Sequence, residues 1–135
     1  MNKRIALISK IDIEFPLHNS ITIKNVEISK ALNQLGFETT LFNISNGWFS
    51  SNSNIIEKLS SFKPLNISFI DLCIKNIDAN LFNYIWIRHS IFSFNLFTFL
   101  KKLKKENPNI IILYEIPTYP YKFEFKRSLQ LIIKF

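Results

Sequence analysis

The first apolar run along the chain is Ile5-Ala6-Leu7-Ile8, with no polar side chain inside it. A run without alternation is the pattern of a strand buried on both faces, as in a parallel sheet. A polar loop is expected over residues 10–19. Ile21, Val26, Ile28, Ala31, Leu32 and Leu35 then recur near a 3.6-residue period. That period predicts a helix, with Ser20 as its N-cap and Gly36 just past its end. Residues 37–44 alternate loosely and are rich in β-branched and aromatic side chains, which predicts the second strand. Strand, helix, glycine, strand is a βαβ unit, and its crossover makes the two strands parallel.

Further along, residues 47–54 are Ser- and Asn-rich and predict a loop. A helix is expected over 55–62, stopped by Pro64, and a strand over 65–72. Residues 84–88 hold Tyr, Ile and Trp and predict another short strand. Residues 92–106 give the clearest helix, because Phe92, Leu96, Phe99, Leu100 and Leu103 form one stripe. Lys101, Lys102, Lys104 and Lys105 crowd its C-terminal end, where cations suit the helix dipole. Asn107-Pro108 stops it. A buried strand over 110–114 and a final helix over 124–135 complete the order. Alternating strands and helices predict an α/β Rossmann-like parallel sheet flanked by helices, as a single domain over residues 1–135.

Composition narrows this picture. A 135-residue chain that is 47% hydrophobic can bury a real core and is not a disordered segment. Cys73 is the single cysteine, so a disulfide framework within one chain is ruled out and a reducing, cytoplasmic setting is expected. No stretch approaches the roughly 20 apolar residues of a membrane helix. The net charge of +7 is uneven, because residues 68–135 carry ten basic and five acidic side chains. Such charge suits nucleic acid, an anionic membrane or phosphorylated ligands without choosing among them.

Ligands of open parallel sheets bind at the carboxyl ends of the strands, so three loops there carry the candidate chemistry. After the first strand, a dinucleotide site would need a Gly-rich turn. The two glycines, Gly36 and Gly47, both lie elsewhere. His18 and Asn19 precede a helix N-terminus, where they either hold a ligand or form an ordinary capped loop. Arg88 and His89 close the strand over 84–88. Arg88 has the donor fork for a carboxylate or phosphate and His89 an imidazole able to exchange protons, or the two are an ordinary surface arginine and a hydrogen-bonded histidine. The third loop runs Glu115-Ile116-Pro117-Thr118-Tyr119-Pro120-Tyr121. Two prolines stiffen it, and the loop either holds Thr118, Tyr119 and Tyr121 for hydroxyl-rich ligands or is a structural Pro-Tyr turn packed on the next helix. Glu115, at the lip of the cleft, is a hydrogen-bond acceptor for a sugar or a base.

These segments resemble a family. The phrase YEIPTYPY from Tyr114 is similar to a loop of bacterial family 4 glycosyltransferases that build surface polysaccharides. NYIWIRHS from Asn83 looks like the strand before it, and FLKKLKKENPNIIILYE lies between them in the matching order. KRIALIS and NVEISKALNQLGFETTLFNIS are similar to the family's first βαβ unit. The resemblance implies the N-terminal, acceptor-side half of a two-domain GT-B enzyme. A nucleotide-sugar donor would be held by a second domain, the anomeric configuration retained, and no metal or other cofactor required. It implies a facing position for Glu115 opposite the transferred sugar, with Arg88, Thr118, Tyr119 and Tyr121 around it. It also implies that the 135-residue chain alone is inactive in transfer. Ser20, Thr22, Lys24 and Asn25 stand where the family tends to have glycine, lysines and a glutamine.

Two rival readings use the same chain. A free-standing flavodoxin-like binding or regulatory module needs only the fold. Asp12 and Asp71 do not make the acidic pair of a receiver domain. A nucleic-acid binder rests on the lysine cluster alone, and a solvated helix face accounts for that cluster without a nucleic-acid partner. Peripheral membrane docking by Lys101, Lys102, Lys104 and Lys105 with Phe97 and Leu100 is compatible with a lipid-linked acceptor.

Overall fold

In the computed structural model, residues 3–12, 19–88 and 93–115 are described. Their elements run β1 (Lys3–Asp12), α1 (Asn19–Gln34), β2 (Phe37–Ser45), β3 (Trp48–Ser51), β4 (Asn54–Lys58), α2 (Leu65–Asn76), β5 (Tyr84–Arg88), α3 (Phe94–Glu106) and β6 (Ile111–Glu115). A 3-10 turn at Ala79–Leu81 precedes β5. The strands form one sheet in the order β4-β3-β2-β1-β5-β6. β2, β1, β5 and β6 are parallel, and β3 and β4 are added antiparallel, so the sheet is mixed and mostly parallel. This is the expected α/β Rossmann-like architecture, with a hairpin extension on one side.

The extension departs from the sequence reading. Residues 47–54 were expected to be a loop and 55–62 a helix, yet Trp48–Ser51 and Asn54–Lys58 are the strands β3 and β4. Two tight turns explain this. Ser45 pairs with Trp48 around Asn46-Gly47, whose φ angles are 49° and 81°. Ser51 pairs with Asn54 around Asn52-Ser53, at 47° and 69°. Positive φ at both central residues is the two-residue hairpin turn whose twist matches that of the strands.

The segment 65–72, expected as a strand, is the first two turns of α2. Ser68, Phe69, Ile70, Leu72 and Cys73 are its buried positions, and the pairs at three and four residues (Phe69 with Leu72 and Cys73, Ser68 with Leu72) are those a helix puts on one face. The polar stretch after β1 is also shorter than expected, because β1 continues through Asp12. Ser20 lies inside α1 rather than capping it. Gly36 does end α1, with φ of 95°. The helix expected over 124–135 lies outside the described residues.

The two faces of the sheet are covered differently. α2 and α3 pack together on one face over Ala6, Ile8, Phe42, Ile44, Ile85 and Ile87, and Phe69, Phe99 and Leu103 fill the layer. Asn95 Nδ2 donates to the Ile67 carbonyl at 2.9 Å and Lys102 Nζ to that of Ile74 at 2.8 Å, so the two helices run side by side in the same direction. On the other face α1 lies against β1 and β2. Ile5 and Leu7 are buried there. Alternation along β1 and β5 then points Ser9, Trp86 and Arg88 toward the α1 side, at the carboxyl ends of the strands.

Candidate functional site

Ser9, Arg88 and Glu115 are lateral neighbours. Ser9 is in register with Arg88, and Arg88 with Glu115, across β1, β5 and β6. They form one polar row at the end of the sheet where α/β proteins bind ligands. Asn25, on the first half of α1, closes over it. Asn25 Nδ2 donates to Ser9 Oγ at 2.9 Å, and its Oδ1 accepts from an Arg88 terminal nitrogen. Arg88 Nε donates to Glu115 Oε2 at 3.0 Å. The same oxygen accepts the indole N–H of Trp86 at 2.9 Å.

The row runs from the interior outward. Ser9 and Asn25 are buried, the Arg88 side chain is 4% exposed, and that of Glu115 is 38% exposed. A buried guanidinium requires a counter-charge and hydrogen-bond acceptors, and here Glu115 supplies the first and Glu115 and Asn25 accept from two of its nitrogens. Its planar fork reaches α1 and β6 at once, which a lysine ammonium on a flexible stem would not do. The arrangement therefore turns a buried charge into a brace for a carboxylate at the surface. No described residue donates to Glu115 Oε1, so that oxygen keeps its acceptor capacity. Trp86 lies half-buried beside it, its ring edge satisfied by Glu115.

Arg88 and Glu115, both expected site residues, are thus brought together. Asn19 is the first residue of α1, and its side chain is not described. His18, His89, Thr118, Tyr119 and Tyr121 lie outside the described residues. Sequence reasoning missed Ser9, Trp86 and the role of Asn25. A signal for Asn25 was present, since it falls four residues after Ile21 and three before Ile28 in the apolar period of the sequence, and it is 3% exposed. A polar residue on an apolar stripe is a buried group that needs partners.

A concavity lies at the opposite, amino-terminal edge of the sheet. It is lined by Arg4, Glu38, Asn80, Asn83 and Asn107 among others. Its polar groups already serve the fold: Arg4 pairs with Glu38 at 3.3 Å, Asn83 Oδ1 accepts the Arg4 amide, and Asn107 Nδ2 donates to two carbonyls of the 3-10 turn segment. It is a seam rather than a site. Among the described residues no group of three His, Cys, Asp or Glu side chains is placed to hold a metal ion. Comparison of the chain with family models, curated proteins and solved structures gives no match.

Proposed function

We propose that the carboxyl-end row built on Glu115 binds the acceptor saccharide of a sugar-transfer reaction, this domain acting as the acceptor-side half of a GT-B glycosyltransferase. The observation that carries the reading is the setting of Glu115. One carboxylate oxygen is held by Trp86 and Arg88, and no described residue donates to the other. A fixed carboxylate oxygen accepts hydrogen bonds from vicinal sugar hydroxyls, and the adjoining indole offers an apolar face to the ring's C–H groups. The Arg88 charge is balanced inside the protein, which favours a neutral polyol over a phosphate at this point. The nucleotide-sugar donor would then be held by a second domain. If Glu115 serves instead as a base, the receiving oxygen must be Oε1, because Oε2 already accepts two hydrogen bonds.

The test uses Trp86 as the reporter. In a Trp48→Phe background, mono- and disaccharides are titrated while the remaining indole N–H resonance and fluorescence are followed. Saturable perturbation that is lost in Glu115→Gln is the expected outcome. If no saccharide moves the Trp86 signal, the acceptor reading fails.

A further inference from the structure

The lysine-rich helix α3 presents a different surface from the one its sequence suggests. Lys102 turns toward α2, donating to the Ile74 carbonyl and pairing with Glu106 at 3.1 Å. Lys104 reaches the Ile110 carbonyl at 2.5 Å. Leu100 packs against the core. The outward stripe is Phe94, Phe97, Lys101 and Lys105, at helical spacings of three, four and four residues. Phe94 is 84% exposed and Phe97 is 49% exposed, with Lys101 Nζ 5.4 Å from the Phe97 ring centre. Neither Lys101 nor Lys105 pairs with a described carboxylate, and the single acid of α3, Glu106, belongs to the α2 side.

Apolar exposure continues across the neighbouring helix. α2 and α3 run in the same direction with their N-termini together, and the approach to α2 carries Phe62, 97% exposed, and Leu65, 51% exposed. Phe62, Leu65 and Phe94 therefore share one end of the helix layer. That end lies at the carboxyl edge of the sheet, since α3 follows β5 after Arg88.

We propose that this apex, Phe62, Leu65, Phe94 and Phe97 with Lys101 and Lys105 behind it, docks on an anionic lipid bilayer. Aromatic and aliphatic side chains at a convex tip enter the headgroup region, while lysines along the same stripe meet anionic lipid. A nucleic-acid strand is held by a basic groove with aromatics to stack its bases, whereas this stripe carries two lysines behind exposed apolar side chains at its tip, a pattern that suits a bilayer better. A second copy of the chain would bring like-charged stripes together, which opposes self-association. Docking in this way sets the Glu115 edge of the sheet toward the membrane. The inference goes beyond the acceptor reading and fails separately from it.

The test is co-sedimentation of the full chain with vesicles of phosphatidylcholine alone and of phosphatidylcholine mixed with phosphatidylglycerol. Binding is expected to the mixed vesicles and to fall at least tenfold in the Phe62→Ser/Phe94→Ser variant. Each of Lys101→Ala and Lys105→Ala is expected to weaken it about fivefold. The lysine variants keep the test decisive if the aromatic variant fails to fold. The Phe62→Ser/Phe94→Ser variant should leave any saccharide perturbation of Trp86 unchanged. Equal binding to both vesicle types overturns the proposal, as does binding insensitive to both sets of substitutions. So does tight duplex-DNA binding or dimer formation through the same residues in place of vesicle binding.

Discussion

Asn25 and Arg88, 63 residues apart in the chain, share a buried hydrogen bond that ties α1 to the carboxyl end of β5. The bond joins the helix of the first βαβ unit to a strand beyond the hairpin extension and α2. It gives the polar row its inner anchor. Arg88 is then held from both sides, by Asn25 within and Glu115 without.

The pair sets up the first prediction. Arg88→Ala removes a buried cation and strands Asn25 Oδ1 without its donor, so it should lower unfolding free energy by about 3 kcal/mol. Asn25→Ala alone leaves the guanidinium short of a partner and should cost about 2 kcal/mol. Because they act on one bond, the double variant should lose less than the two single losses combined. Urea unfolding of all four proteins measures this, and strict additivity would contradict a direct coupling.

Glu115→Gln is milder in stability and more telling at the site. The amide keeps an acceptor for the Trp86 indole and loses the charge that balances Arg88. Glu115 is more than a third exposed, and solvent screens the pair, so a loss of about 1 kcal/mol is expected. Trp86 should stay in place, and its indole N–H resonance should shift without broadening. A collapse of that resonance into the unfolded position would mean that the carboxylate holds the edge of the sheet together.

Much of this was legible in the sequence, and the failures have physical causes. The unbroken run of β1, the stripe of α3 and the strands at 84–88 and 110–114 announced a parallel sheet, because periodicity records which faces are buried. The hairpin was misread because Ser and Asn richness was weighed as loop composition, although Asn46-Gly47 is a strong two-residue turn signal. The start of α2 was misread because Ile67, Phe69 and Ile70 are an apolar cluster too short to fix a period until Cys73 and Ile77 are included. At the site, Arg88 and Glu115 were found by their place at strand ends. Their pairing was not, because register between β5 and β6 is a property of the folded sheet.

The first hairpin turn supplies a clean backbone test. Gly47 has φ of 81°, and a Cβ added there would meet nothing within 4 Å. Gly47→Ala therefore changes only conformational preference, with no clash to confuse it. A loss of about 1 kcal/mol is expected from placing an L-residue in the left-handed region. Thermal unfolding would detect it, and an unchanged midpoint would mean that the turn has relaxed to another type.

Phe49 is the side chain through which the hairpin joins the core. It is fully buried, stacked on Phe42 at 5.9 Å between ring centres and tilted against Phe69 of α2 at 5.6 Å. Phe49→Ala should cost about 4 kcal/mol, since β3 and α2 cannot both collapse into the space. Phe49→Leu should recover more than half of that. Equal losses from the two variants would place the cost in the ring contacts rather than in volume.

Cys73 gives a pH signature. It is fully buried in α2, and burial pushes its thiol pKa well up. In the unfolded chain the thiol titrates near its ordinary value, about 8.5. Above that pH the unfolded state has released a proton that the folded state retains, so the unfolded state is favoured. The contribution to stability is thus fully present below about pH 8.5 and declines above it, at about 1.4 kcal/mol per pH unit. Tyr114, whose phenol is also raised by burial, adds to the decline only at higher pH. Urea midpoints across this range should fall with pH in the native protein. The thiol-dependent slope should vanish in Cys73→Ala, whose cavity lowers stability by a constant amount at every pH. A slope that persists in that variant up to the tyrosine range would assign the pH dependence to other groups.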